Sequence, residues 1–194
     1  TSGSASATTA AVTVADPAPS WTSIRAGHYL TCGVAEGPAY CWGDNEFGQI
    51  GDGTKTDRTV PTLVSGGHTW ASVAGGEGYA CGVTTGGDAY CWSGATADAP
   101  GSTVSPGANG WSGDWKSMDA GWGHNCGVTT NDNGYCYGTS GRGQLGTGSD
   151  YVDLDAPNSG KPMRIISGGG NWTSIVAGND RTCGLRGGGV YCWG

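Results

Sequence analysis

W-T-S-I-R-A-G (residues 21–27), L-T-C-G-V (30–34) and A-Y-C-W-G (39–43) form the stretch that decides the fold, because it recurs three more times in the 194 residues. The second copy runs from Trp70 through A-C-G-V to Y-C-W-S at Ser93, and the third from Trp115 through N-C-G-V to Y-C-Y-G at Gly138. The fourth runs from Trp172 through T-C-G-L to Y-C-W-G at Gly194. In each copy a tryptophan is followed eleven residues later by a cysteine, and nine or ten residues further by a second, and all eight cysteines belong to this pattern. A unit copied at this period cannot bury its own apolar faces and must stack on its neighbours.

Within a unit the spacing fixes a β-hairpin. If Cys32 faces Cys41, the turn centres on Glu36-Gly37; Cys183 facing Cys192 centres it on Gly187-Gly188. Both are two-residue loops of the kind that demands positive φ. Cys81 with Cys91 and Cys126 with Cys136 leave three-residue loops, Thr85-Gly86-Gly87 and Thr130-Asn131-Asp132. The same register sets Gly33, Gly82, Gly127 and Gly184 opposite Tyr40, Tyr90, Tyr135 and Tyr191. An aromatic ring over a strand glycine is a known way to cover sheet backbone, and the tyrosines are expected to do so. Alternation puts Leu30, Cys32 and Val34 on one face and Tyr40 and Trp42 on the other. Both faces are apolar, which suits blades stacked radially in a propeller and not a one-sided sheet.

Composition agrees: 40 glycines, nine tryptophans, eight tyrosines and one phenylalanine describe turn-rich β structure. The net charge of −7 and the absence of a Lys/Arg cluster remove the footprint of a nucleic-acid binder. Apolar runs are only a few residues long, too short for a membrane helix. Thr1 opens the chain without an initiator methionine or a secretory apolar run, as expected of a mature product or a piece of something longer.

Two units continue into a further motif, G-D-N-E-F-G-Q-I-G-D-G-T (43–54) and G-T-S-G-R-G-Q-L-G-T-G-S (138–149). Proline-led stretches follow, P-T-L-V-S-G-G from Pro61 and P-M-R-I-I-S-G-G from Pro162. The assembled unit, W-x-x-I-x-A-G, C-G-V, Y-C-W-G, G-Q-L-G-x-G, P-x-x-V-x-G-G, resembles the regulator-of-chromosome-condensation repeat over residues 21–194, in a disulfide-containing, extracellular form. The resemblance implies an all-β, propeller-like array of four units ending near 43, 93, 138 and 194, preceded by a Ser/Thr/Ala-rich segment (1–20). It departs from the family pattern in three places. Of the positions two before the first cysteine, only His124 keeps the family's frequent histidine; Leu30, Tyr79 and Arg181 stand in the others. The G-Q-L-G motif is absent after Ser93. Four units are also too few for the seven-bladed ring the family usually closes. Val12 to Ala15 aligns with Pro61 to Val64 and is expected to be a closing strand for the last unit, within the chain or between chains.

The cysteine separations do not suit zinc knuckles, and cross-strand pairing reads as disulfides, with free buried thiols as the alternative. Each bridge would contribute about 2.5 to 3 kcal/mol in the chain-entropy view and implies an oxidising compartment. Asn171-Trp172-Thr173 is an N-glycosylation sequon. Three histidines, His28, His68 and His124, recur at no common repeat position, and no nucleophile sits in a local signature. Asp150, Asp153 and Asp155 could help hold calcium but match no ordinary calcium loop, and a solvated acidic loop is the simpler reading. No cofactor or other metal site is expected.

Trp111 and Trp122 lie outside the repeat's own tryptophan positions and are candidate anchors for a protein partner. The expected function is a secreted or surface-exposed, non-enzymatic interaction module, binding a protein or associating with itself through the repeat ends into a ring or fibre. A secreted enzyme inhibitor is the alternative, since the resemblance includes a bacterial β-lactamase inhibitory protein on this propeller. Nucleotide exchange on a small GTPase, the activity of the family's namesake, fits less well with the acidic charge and the paired cysteines.

Overall fold

A computed structural model describes residues 19–93, 115–139, 141–147, 163–164 and 170–194. These form four antiparallel sheets, one per repeat unit. The first contains β1 (Trp21–Ala26), β2 (Leu30–Ala35), β3 (Ala39–Gly43) and β4 (Arg58–Leu63). The second contains β5 (Trp70–Gly75), β6 (Tyr79–Thr84) and β7 (Ala89–Ser93). The third contains β8 (Trp115–Ala120), β9 (His124–Thr129), β10 (Gly134–Gly138) and β11 (Met163–Arg164). The fourth contains β12 (Trp172–Ala177), β13 (Thr182–Arg186) and β14 (Gly189–Trp193). The all-β, propeller-like expectation holds. The segment 1–18, with its expected closing strand Val12 to Ala15, lies outside the described residues.

The hairpin register is the one the cysteines dictate: Cys32↔Cys41, Cys81↔Cys91, Cys126↔Cys136 and Cys183↔Cys192 are facing pairs. All four are disulfide-bonded. Glu36 and Gly37 both take positive φ, as do Gly187 and Gly188, which matches the twist of the flanking strands. In the three-residue loops Gly87 and Asp132 supply the positive φ.

The glycines do face the tyrosines, but the ring that fills the space above each glycine is the unit's tryptophan. A Cβ on Gly33 would meet Trp21 at 2.8 Å; on Gly82 it would meet Trp70, and on Gly127 Trp115, each at 2.7 Å; Gly184 is closed by Trp172 in the same way. The tyrosine stands edge-on to that tryptophan, with Trp70 and Tyr90 centroids 5.8 Å apart. The tryptophan reaches this position because each first strand carries a β-bulge, between Trp21 and Ser23 and at the equivalent place in the other three. Without the extra residue, Trp21 and Ile24, three apart, would point to opposite faces.

Adjacent blades pack face to face. The Leu30, Cys32, Val34 and Cys41 face of the first meets Trp70, Val73 and Trp92 of the second. The second meets the third through Cys81 and Val83 against Trp115 and Met118. The third meets the fourth through Cys126 and Val128 against Trp172 and Ile175. The disulfides thus take the place of core side chains in each seam.

Candidate protein-docking rim

The loops between first and second strands gather at one rim. Gly27, Gly76, Gly121 and Gly178 hold equivalent positions and line a single cleft of about 240 Å³ with their neighbours. A Cβ on Gly76 would lie 2.7 Å from the Gly121 carbonyl oxygen, and one on Gly121 would collide with the Gly178 carbonyl. Only glycine allows this backbone contact. The approach is reinforced by Trp122 N–H donating to Gly178 O (3.2 Å) and Glu77 N–H to Gly121 O (3.4 Å). The rim is therefore built of backbone touching backbone, a rigid base for the side chains that project from it.

The Gln-containing turns join the same rim. Asp44 N–H donates to Tyr29 O (2.9 Å), and Thr139 N–H to Gly123 O (2.8 Å). In both turns the glutamine side chain pins its own loop: Gln49 Oε1 accepts from Phe47 N–H and Gln144 Oε1 from Arg142 N–H, each at 2.9 Å. Asn45 closes the first turn from inside, with Ile50 N–H donating to its Oδ1 (2.9 Å) and its amide donating to Thr56 O (3.0 Å). Burial pushes the Asp52 carboxyl up, but Thr54 and the Arg58 guanidinium outweigh it and hold the group below the usual carboxylate range.

On this base stand three exposed aromatic side chains: Tyr29 (68% exposed), Phe47 (50%) and Trp122 (52%). Trp122 borders a second cleft of about 360 Å³ with Thr139, Arg142, Gln144 and Asp180. Arg142 Nε lies 3.5 Å from Asp180 Oδ2 there. Such a surface can bury aromatic rings and offers one cation and one anion, the chemistry of a protein contact.

The other sequence candidates fall elsewhere. Trp111, Asp150, Asp153 and Asp155 lie outside the described residues. Asn171 is exposed, at φ 74°, immediately before β12. His124 is fully buried, with Nε2 2.8 Å from Thr182 Oγ1. Because that hydroxyl donates to Gln144 O (2.8 Å), the imidazole donates through Nε2, and burial holds its pKa below the ordinary histidine value. His124 is a seam residue. Asp119, on the inner strand β8, accepts the Ala177 N–H at Oδ2 (2.8 Å), and burial raises its pKa against the pull of that bond and of Arg25. Sequence reading missed Asp119 because its equivalents are Arg25, Ala74 and Val176, so the repeat gives no signal there. Tyr29 and Phe47 were also missed, yet both sit at loop positions just outside the repeated strands, where a large ring has no core to enter. Among the described residues no three His, Cys, Asp or Glu side chains gather as a metal site, and no helix is long and apolar enough to cross a membrane.

Residues 36–83 match the family model of the regulator of chromosome condensation (RCC1) repeat. That match runs from the first hairpin turn, through the Gly-Gln-Ile-Gly turn, into β6, so the sequence repeat straddles a blade seam. The fold is shared with yeast RCC1 (Prp20) in a crystal structure with Kap60: TM-score 0.66, 17% identity, 93% of this chain and 45% of that one. Human WBSCR16 aligns with TM-score 0.69 and 18% identity, over 92% of this chain and 48% of that one. The ectodomain of the Physcomitrella patens receptor kinase CR4 aligns with TM-score 0.55 and 20% identity, over 92% of this chain and 42% of that one. The chain spans less than half the length of each of these three.

Proposed function

On a scaffold of RCC1-type repeats with a rigid aromatic rim, we propose that this chain is a secreted or surface-exposed, non-enzymatic interaction module that docks protein partners. The observation that carries the reading is the exposure of Trp122, Tyr29 and Phe47 on loops fixed by backbone contact. Large rings held without a core to enter are preferred binding anchors, and a preordered base lowers the entropy cost of docking. The four disulfides support an oxidising compartment, and the exposure of Asn171 and Thr173 in the sequon supports glycosylation there. The partner is a protein surface: a second protein, an enzyme that the module inhibits, or a further repeat unit met at the open ends of the array. Exchange on a small GTPase is the weaker reading, because fold alone carries no partner and the bonded cysteines fit a reducing compartment poorly.

The test compares wild type with Trp122→Ala. Binding of extracellular proteins to the immobilised module should fall about tenfold or more in the variant, with the thermal midpoint nearly unchanged. Equal binding by both proteins would remove the rim from the reading. Free thiols in native material would remove the extracellular assignment.

A further inference from the structure

Each seam between blades is joined by the same polar contacts. The main-chain N–H of the incoming unit's tryptophan donates to the preceding hairpin turn: Trp70 to Gly37 O (2.8 Å), Trp115 to Gly87 O (3.1 Å) and Trp172 to Asp132 O (3.0 Å). Across two seams the last aromatic of the incoming unit also reaches the preceding Gln turn. Trp92 Nε1 donates to Gln49 O (2.9 Å), and Trp193 Nε1 to Gln144 O (3.0 Å). The unit before the remaining seam has no Gly-Gln-x-Gly motif, and the equivalent residue there is Tyr137. Its hydroxyl lies 3.3 Å from Cys91 Sγ and 3.8 Å from Met118 Sδ instead. The final aromatic therefore matches the unit in front of it: tryptophan where a Gln turn precedes, tyrosine where none does.

The last aromatic residue of the first unit is Trp42. Its outer face carries Trp21, Ile24, Tyr40 and Trp42, with Ile24 51% exposed while its equivalents Val73, Met118 and Ile175 are 1%, 4% and 4% exposed. Trp21 meets Trp42 at a tilt, centroids 5.7 Å apart, as Trp70 meets Trp92 at 5.5 Å. The face is thus arranged like the inner ones, and Trp42 Nε1 has no hydrogen-bond partner among the described residues.

We propose that this face docks a further unit of the same repeat type, and that the unit it selects carries a Gly-Gln-Ile/Leu-Gly turn. The turn would give its glutamine carbonyl to Trp42 Nε1 and its branched side chain to the seam, where Ile50 and Leu145 are fully buried. The glycine that follows is needed as well, since a Cβ on Gly51 or Gly146 would lie 2.7 Å from the indole nitrogen of Trp92 or Trp193. The proposal rests on the reading of the chain as an interaction module but uses a surface separate from the rim. The outer face of the fourth unit is the matching half: Leu185, Val190 and Cys192 are exposed where Val34, Ala39 and Cys41 are buried. In that unit Gly194 is the equivalent of Gly43, after which the Gln turn follows in the first unit.

A donor protein is made by extending this chain past Gly194 with a copy of residues 44–64, and its own first face is blocked by Ile24→Lys. The acceptor is the 194-residue chain labelled with nitrogen-15. Sedimentation and the Trp42 indole resonance should report a one-to-one complex, about tenfold or more tighter than with an Ile24→Lys donor lacking the extension. Trp42→Tyr in the acceptor should abolish that advantage, and Ile24→Lys in the acceptor should abolish the complex. Trp122→Ala in the acceptor should leave docking unchanged, so failure of the rim reading is scored separately. Equal affinity for both donors overturns the proposal, as does no complex at about 100 μM or binding indifferent to Ile24→Lys in the acceptor.

Discussion

Trp92 Nε1 donates to the backbone carbonyl of Gln49 across the first seam, 2.9 Å away and fully shielded from water. A buried indole N–H without a partner is destabilising, so this bond and the packing of the ring act together. Trp92→Phe is expected to lower stability by about 1 to 3 kcal/mol, and Gly146→Ala, which adds a Cβ at positive φ beside Trp193, by a similar amount. Trp42→Phe should cost clearly less, since that ring is only partly buried and its nitrogen has no partner among the described residues. Urea unfolding of the three variants measures the difference; equal losses would show that the seam bond contributes little.

Much of this fold was legible because its determinants are local and repeated. The hairpin register follows from cysteine spacing alone, and the loop lengths from counting between them. The bulge after Trp21, Trp70, Trp115 and Trp172 was not legible. A W-x-x-I spacing says only that two apolar residues are three apart; the bulge that brings them to one face shows only in the pairing of that strand with the next, and it is present even in the first blade, where Ile24 is exposed. Without that bulge, the facing tyrosine is the sequence's candidate to cover the strand glycine, which the tryptophan covers instead. Trp122 was legible as an extra tryptophan, whereas the rim that presents it depends on glycine carbonyls of different units meeting in space.

The disulfides differ in shelter. Cys32–Cys41 and Cys126–Cys136 are fully buried within seams, and Cys81–Cys91 is 9% exposed at most. Cys192 is exposed on the outer face of the fourth blade. Thiolate attack needs access to sulfur, so mild reduction of the folded protein should open Cys183–Cys192 before the rest. Alkylation and peptide mapping over a reductant series give the order. Simultaneous loss of all four would show that reduction follows global unfolding instead.

His124 should make the third seam sensitive to acid. Its folded pKa lies below the ordinary value of 6.5, because burial opposes the charged ring more than Asp180 favours it. The unfolded chain therefore takes up the proton first as pH falls, and the stability present above pH 6.5 is lost progressively as pH drops through the folded value. His124→Leu, which places there the side chain found at Leu30, leaves the Thr182 to Gln144 bond in place. Its stability should fall less between pH 7.5 and pH 5 than that of wild type. Parallel pH profiles would mean that other groups set the acid response.

Asp119 has the opposite sign. Burial raises the pKa of its carboxyl, so the folded protein binds this proton more tightly than the unfolded chain does. Folding is then favoured as pH falls through the raised value, and above that value the ionised carboxylate opposes it. An amide oxygen can accept the Ala177 N–H as the carboxylate does, without a charge to desolvate. Asp119→Asn should accordingly raise the unfolding midpoint at pH 7, with the gain shrinking as the pH is lowered toward the acid range. The competing effect is the attraction between Asp119 and Arg25, which the amide gives up. Because Arg25 is exposed, water screens that attraction, and the desolvation cost is expected to prevail. A lower midpoint for Asp119→Asn at pH 7 would mean instead that the attraction between Asp119 and Arg25 outweighs the desolvation cost.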